Sequence, residues 1–378
     1  MQKYEKKRNL IFFLYFCILK MKEGLVIRTT GSWYRVMVIG YGLWVMDDCA
    51  GQPRQPSITN NPSPITFFDC RLRGNYRLRG NKQTNPVAVG DHVFFEVQDD
   101  GTGVIHDVAD RKNYIVRRAT KLSKQTHVIA ANIDLLCIVA TLGLPRTSTG
   151  FIDRLLVTAE AYHIPACILF NKVDLYDDEL WEIHNEIKGI YTAAGYPVYE
   201  VSALEGIGLD EVKQLIAGKT VLFSGHSGVG KSALLNALAP GLDLKVGDIS
   251  DWSLKGRHTT TFAEIHPIRV RGYGLEVIDA NAEQPRQPSI THNLSPITYL
   301  IDTPGIKEFG MVNFNAQELS HFFPEMRALI PNCHFANCTH RHEPGCAVKE
   351  ALDEGLLSTE RYKNYLGILE DVDDYQRP

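Results

Sequence analysis

The sequence predicts a multidomain protein: an N-terminal β-barrel of the OB type, a central α/β domain, and a small C-terminal helical domain stapled through cysteine and histidine. Three observations predict it. Residues 24–118 alternate apolar and polar positions between glycine-rich turns, without a helical period. From about residue 133, apolar strands alternate with amphipathic helices up to the glycine-rich stretch "GHSGVGKS" at 225–232. Three of the chain's 8 cysteines crowd, with histidines, into residues 333–346.

A chain of 378 residues is long enough for two or three domains and at least one full core. Its 44% hydrophobic and 22% charged content is that of a globular protein, which excludes disordered and fibrous classes. The net charge of −4 gives no global attraction to nucleic acid, so any such contact must come from a local basic patch. The cysteines are too sparse for a disulfide scaffold, and their clustering points to metal ligands in a reducing compartment. At the start, "MQKYEKKRNLIFFLYFCILKMKEGL" has a basic segment and an apolar run from Leu10 to Leu19. That is two parts of a signal peptide without the small-residue cleavage site, and the run is short for a bilayer. Residues 1–20 are expected to be an upstream extension with Met21 as the working start. The expected location is cytoplasmic, without membrane contact.

The first domain is expected over 21–118. "GLVIRTTGSWYRVMVI", "FFDCRLRGNYRL", "DHVFFEVQ" and "TGVIHDV" read as its strands. Arg71, Arg73, Arg77, Arg79 and Lys82 gather on two of them. A five-stranded barrel with a basic, aromatic-bearing face is a common oligonucleotide platform, so these arginines are candidate RNA contacts; a solvated charged face is the alternative.

An internal repeat interrupts the chain. Residues 41–68 match residues 273–300 at about 19 of 28 positions, around a shared "QPRQPSIT". The flanks of the two copies are unrelated, which excludes a duplicated domain, and copies this far apart cannot stack as a solenoid. Each copy reads as an insertion between two strands (about 41–67 and 273–298), where a surface loop absorbs length at little entropic cost. Neither is expected to be catalytic.

The central domain, expected over 119–310, carries the densest chemistry. "GHSGVGKS" fits G-x-x-x-x-G-K-[ST], with "TVLFSG" as the strand before it and "ALLNAL" starting a helix after it. Backbone amides from Gly225 through His226, Ser227, Gly228, Val229 and Gly230 would cradle a β-phosphate. Lys231 would neutralise the β- and γ-phosphates, and Ser232 would hold Mg²⁺. "FNKVDL" suggests the base: Asp174 can accept the two donors of guanine that adenine lacks, Lys172 can lie over the ring, and Asn171 can tie two loops together. "VSAL" resembles the loop whose alanine amide, here Ala203 after Ser202, meets the guanine O6. "GRHTTTF" offers Thr259, Thr260 and Thr261 to complete Mg²⁺ coordination, of which Thr260 is preferred. "LIDTPG" offers Asp302 for Mg²⁺ through water and the amide of Gly305 for the γ-phosphate.

The order of these pieces is NKVD, SA, phosphate loop, threonine switch, DTPG. That is the familiar GTPase order cut open and rejoined, which leaves the same three-dimensional site available. The central domain is therefore expected to be a circularly permuted P-loop GTPase. The permutation, the barrel before it and the Cys/His cluster behind it resemble the RsgA/YjeQ family of circularly permuted GTPases, over roughly residues 22–370 apart from the inserts. The resemblance implies GTP hydrolysis stimulated by the small ribosomal subunit during its maturation, and binding near the rRNA decoding region. In many GTPases a glutamine after the DxxG glycine orients water; Ile306 stands here. His258 is the nearest titratable candidate, to which the resemblance also points; the alternative is a loop residue touching rRNA. Because DTPG leads straight into the C-terminal domain, a γ-phosphate-dependent shift at Gly305 is expected to move that domain relative to the barrel.

"CHFANCTHRHEPGC" supplies Cys333, Cys338, His340 and Cys346 at a spacing suited to tetrahedral structural Zn²⁺, one ion per chain. It also matches the pattern of the resembled family. His334 and His342 compete less well, and a set of free buried thiols is the alternative. The helical domain around the cluster is expected over 311–378. The expected partners are GTP or GDP, the small ribosomal subunit and its rRNA, with the chain acting as a monomer. Two other functions stay open: a nucleotide-gated RNA-binding scaffold with negligible hydrolysis, and a protein disabled by its inserts.

Overall fold

The computed structural model describes residues 21–39, 65–74, 86–118, 126–244, 263–271, 274–278, 296–302 and 315–376. The N-terminal extension, the greater part of both repeat copies, Arg77, Arg79, Lys82, His258, Thr259, Thr260, Thr261, Gly305 and Ile306 lie outside the described residues.

Strands β1 (Lys22–Thr30), β2 (Trp33–Ile39), β3 (Ile65–Leu72), β4 (His92–Val97) and β5 (Gly103–Val108) form the barrel. β1 pairs antiparallel with β2 and with β4, β2 with β3, and β4 with β5, while β3 runs parallel to β5. This circuit returns on itself and leaves no open edge, the five-stranded OB arrangement. Period-two alternation turns Val26, Tyr34, Val36, Cys70, Val93, Phe95 and Ile105 inward. Gly103 sits where β5 crosses this core: a Cβ there would lie 2.4 Å from the Cys70 sulfur and 2.8 Å from the Phe95 ring.

A short hairpin of β6 (Tyr114–Arg118) and β7 (Thr126–Ala131) leads into the second domain. There β8 (Leu135–Ala140), β9 (Ala166–Asn171), β10 (Val198–Val201), β11 (Thr220–Ser224) and β14 (Ile297–Asp302) form a parallel sheet in the order β10-β9-β8-β11-β14. β12 (Glu264–Arg271) runs antiparallel beside β14 and carries β13 (Gly274–Val277). All six residues of β8 are buried, as expected of a central strand covered on both faces. Leu136, Ile138 and Ala140 face one core with Leu155 and Leu156 of α1 (Thr149–Ala161); α2 (Asp178–Ala193) adds Tyr191. Leu135, Cys137 and Val139 face a second core, with Val212 of α3 (Leu209–Ile216) and Leu234 of α4 (Lys231–Leu238). Each fully buried Leu, Ile or Val contributes about 1.5–3 kcal/mol of transfer free energy. These two cores therefore fix the strand order whatever the position of the chain ends.

The C-terminal part is α5 (Pro324–Arg327), α6 (Ala347–Asp353) and α7 (Thr359–Gln376), with short 3₁₀ turns at Leu319–Phe322 and Ile330–Asn332. Its core of Leu319, Phe323, Met326, Val348, Tyr365, Ile368 and Leu369 also takes in Val157 of α1. The three-part architecture read from the sequence is the one present. Among the described residues, no helix is long and apolar enough to cross a membrane.

Candidate functional site

The loops after β8, β9, β10 and β11 all leave the carboxyl edge of the parallel sheet, where open α/β sheets bind ligands. Asn171, the last residue of β9, is buried at this edge. Its Nδ2 donates to the carbonyl of Val229 at 2.8 Å, and its Oδ1 accepts the Ala203 amide at 3.3 Å. Lys172 follows in a left-handed conformation (φ 66°), and its Nζ donates to the carbonyls of Gly228 at 2.8 Å and Leu144 at 3.0 Å. Two adjacent residues thus touch the loops after β8, β10 and β11. Asp174 lies in the 3₁₀ turn Val173–Leu175, partly exposed on the same edge. Ser202 is buried, and its Oγ accepts the Glu205 amide at 3.0 Å, which turns the chain after β10.

The glycine-rich stretch follows β11 directly and opens α4 at Lys231, the strand–loop–helix context expected of a phosphate loop. Gly230 is required twice over: its φ is +87°, and a Cβ would come within 2.5 Å of Asn171 Nδ2. Gly225 packs so closely that a Cβ would lie 2.3 Å from the carbonyl oxygen of Val139. Lys231 folds back over the loop, donating from Nζ to the carbonyls of Gly225 at 2.6 Å and His226 at 2.9 Å. Burial lowers its pKa, while the nearby carboxylate of Asp302 pulls the other way. The parallel pairing of β11 with β14 sets Phe223 against Asp302, which puts that carboxylate at the base of the phosphate loop. Burial raises the Asp302 pKa, opposed by His266 and Lys231. Ser232 occupies the first turn of α4, half-buried.

The described residues thus bring together Asn171, Lys172, Asp174, Ser202, Ala203, the loop from Gly225 to Ser232, and Asp302. The expected roles of His258, Thr260 and Gly305 fall on residues outside the description. Two contributors were missed in the sequence. The loop after β8, with a cis Leu144–Pro145 bond and a Thr147 amide bonded to the Thr141 carbonyl at 2.8 Å, presses against the base and phosphate loops. Phe151 of α1 stacks on His226, with ring centroids 3.6 Å apart and planes at 28°. The proline in "LGLPRTS" was the available signal for the first. Nothing local marks the second.

Cys333, Cys338, His340 and Cys346 bring one ligand atom each to within 4.8 Å of one another. His340 turns its Nδ1 into the group, 3.3 Å from the Cys346 sulfur and 3.7 Å from that of Cys333. His340 sits at φ 58°, and its carbonyl accepts from the Tyr362 hydroxyl at 2.6 Å. Converging soft sulfur donors with one imidazole nitrogen, largely buried, fit a closed metal site. His334 and His342 stand outside the group. Beside it, Glu343 accepts hydrogen bonds from the Thr339 hydroxyl and the amides of Thr339, Arg341 and His342. Burial would push its carboxyl up, but these bonds outweigh it and hold the pKa down to about 2.

On the barrel, Arg71 and Arg73 are exposed at the end of β3. The Arg71 guanidinium lies 3.8 Å from the centre of the Trp33 ring, and Arg73 Nη1 lies 3.3 Å from His106 Nδ1. They form part of a cationic, aromatic-bearing surface.

Comparison with known proteins agrees with this geometry. A family model described as RsgA GTPase matches residues 108–280, and one described as RsgA N-terminal domain matches residues 62–105. Small ribosomal subunit biogenesis GTPase RsgA 2 of Bacteroides thetaiotaomicron is 44% identical over 352 residues, 93% of this chain and 97% of that protein. The small ribosomal subunit biogenesis GTPase RsgA of Porphyromonas gingivalis is 47% identical over 351 residues, covering 92% and 96%. The crystal structure of YjeQ from Thermotoga maritima superposes with a TM-score of 0.66 at 29% identity, covering 95% of this chain and 100% of that one. That of YloQ, a circularly permuted GTPase, gives 0.61 at 25% identity, covering 95% and 97%.

Proposed function

The chain belongs to the RsgA family of GTPases, and from that membership we propose that it hydrolyses GTP while bound to the small ribosomal subunit during that subunit's late maturation. The observation that supports the nucleotide site best is the bridging of Val229 and Ala203 by the single side chain of Asn171. Loops that the permuted chain encodes in reversed succession are held there as one surface.

In this reading Asp174 accepts the paired donors of guanine, the Ala203 amide meets its O6, and the amides of residues 225–230 surround the phosphates. Lys231 exchanges its bonds to the Gly225 and His226 carbonyls for phosphate oxygens. Ser232, Thr260 and Asp302 are the residues that would hold Mg²⁺, which neutralises charge between the β- and γ-phosphates when bound. His258 is proposed to orient the attacking water, and the amide of Gly305 to register the γ-phosphate. The metal of the Cys₃His group is proposed to be Zn²⁺ in a structural role, since four protein ligands leave no open position for chemistry. The proposed domain limits are 21–118, 119–310 and 311–378, with a cytoplasmic monomer as the working form. Arg71, with Trp33 beneath it, and Arg73 are proposed rRNA contacts, together with Arg77 and Arg79.

GTP turnover measured with and without purified small ribosomal subunits tests this function. Slow turnover alone and a large stimulation by the subunit are expected; equal, negligible turnover in both would favour a nucleotide-gated RNA-binding scaffold. His258→Ala is expected to retain GTP binding and lose the stimulation.

A further inference from the structure

Helix α1 lies between the nucleotide site and the metal-bearing domain, and its first turn touches both. On one side, Phe151 stacks on His226, the second residue of the phosphate loop. Burial and the neighbouring Lys231 both lower the pKa of His226, consistent with a neutral ring against the apolar face of Phe151. On the other side, Asp153 is fully buried and accepts from Arg361 Nη1 at 2.5 Å and from Asn364 Nδ2 at 2.6 Å, both on α7. Arg361 is only 2% exposed; it also donates to both oxygens of Glu325, at 2.7 and 3.0 Å, and lies 4.8 Å from the Phe323 ring. Thr149 Oγ1 donates to Glu360 at 2.7 Å. The residue after Arg361 is Tyr362, whose hydroxyl holds the carbonyl of the metal-ligand candidate His340.

Such a network has few ways to relax. A buried carboxylate–guanidinium group keeps its geometry because any displaced member leaves an unpaired charge in a low-dielectric interior. Phe151 is two residues from Asp153, about 200° around the helix, so neighbouring residues of one helical turn engage the phosphate loop on one side and α7 on the other.

We propose that the first turn of α1 is a shared joint through which the C-terminal domain positions the phosphate loop, with the His226 ring stacked on Phe151 as the contact that transmits it. His226 and Phe151 are positioning residues: they hold the loop's amides in the conformation that receives a nucleotide. The proposal rests on the guanine-site reading above and adds a coupling between two domains, which requires a measured coupling free energy rather than mere contiguity.

The test is a double-mutant cycle on GDP affinity with the full-length chain, melting temperature being recorded for every variant. His226→Ala is expected to weaken GDP by about threefold to tenfold, the range for loss of one aromatic pair. His226→Phe, which keeps a ring on Phe151, is expected to restore affinity to within about twofold of the unmodified chain. Asn364→Ala, on α7 and outside the phosphate loop, is expected to weaken GDP in the unmodified background but to add little once His226 is alanine. If Asn364→Ala fails to fold, Thr149→Val replaces it in the same cycle. Strictly additive effects, an Asn364 variant without effect on GDP, or a His226→Phe variant as weak as His226→Ala would each overturn the joint. Failure of the unmodified chain to bind GDP would instead overturn the guanine site itself.

Discussion

The nucleotide site and the metal cluster are assembled in opposite ways. The loops of the nucleotide site are already joined by their own hydrogen bonds: Asn171 to Val229 and Ala203, Lys172 to Gly228 and Leu144, Lys231 to Gly225 and His226. Beneath them lies a sheet whose strand β8 is buried on both faces. The Cys₃His group rests on no sheet; among the described residues, Glu343, Tyr362 and Tyr365 tie its loop through side-chain hydrogen bonds. Its ligands come from irregular backbone between two short helices, and His340 adopts a left-handed conformation. The described loops of the first site are held in shape by the protein's own bonds, whereas the second gathers four donor atoms that an ion is expected to tie together. Binding free energy at the cluster is therefore expected to count toward folding more than it does at the nucleotide site.

The largest expected effect follows from that contrast. Removing the metal with a strong chelator, or replacing Cys338 with serine, should unfold the C-terminal domain; removing nucleotide should leave the fold intact. Circular dichroism melts with metal analysis would check this. A chelated chain with an unchanged melting profile would erase the distinction. Next in size is Arg361→Ala, which leaves Asp153 buried without its guanidinium and should cost about 3–5 kcal/mol in urea unfolding. A cost below about 1 kcal/mol, the range of an exposed pair, would mean that this joint is wetter than its 2% exposure indicates.

Asn171→Ala should act on the other region. It leaves the Val229 carbonyl and the Ala203 amide without their partner and should weaken GDP by about tenfold, with a small change in melting temperature. The smallest effect concerns pH. Glu343 has a folded pKa depressed to about 2, so the stability it contributes is fully present above the ordinary carboxylate pKa and is lost as pH falls toward 2. Glu343→Gln should flatten the acid limb of the melting-temperature profile between about pH 5 and 2.

How much of this was legible in the sequence depends on whether the physics was local. "GHSGVGKS" spells a backbone path, because glycines are needed where φ is positive and where Asn171 approaches. Cysteine spacing likewise announces a ligand set. The permutation was legible because NKVD, SA, the phosphate loop and the Asp of DTPG each sit at the end of their own strand, so their order along the chain can be read directly. The Asp153–Arg361 pair was not, since 208 residues separate two charges that each look like the solvated face of an amphipathic helix. His184 was hidden for the same reason. In "WEIHNEI" it reads as polar, yet it is buried against Phe170, Tyr176 and Trp181, where burial lowers its pKa. The stack of His226 on Phe151 depends on how one helix docks beside another loop, which no local pattern encodes.

The claim on which the rest stands is that loops in reversed chain order form one guanine-selective pocket. Calorimetric titration of the unmodified chain and of Asp174→Ala with GDP and ADP tests it most directly. One GDP per chain, ADP weaker by at least about a hundredfold, and near-equal weak binding of both by Asp174→Ala are predicted. Equal affinity of the unmodified chain for GDP and ADP, or GDP binding indifferent to Asp174, would contradict it.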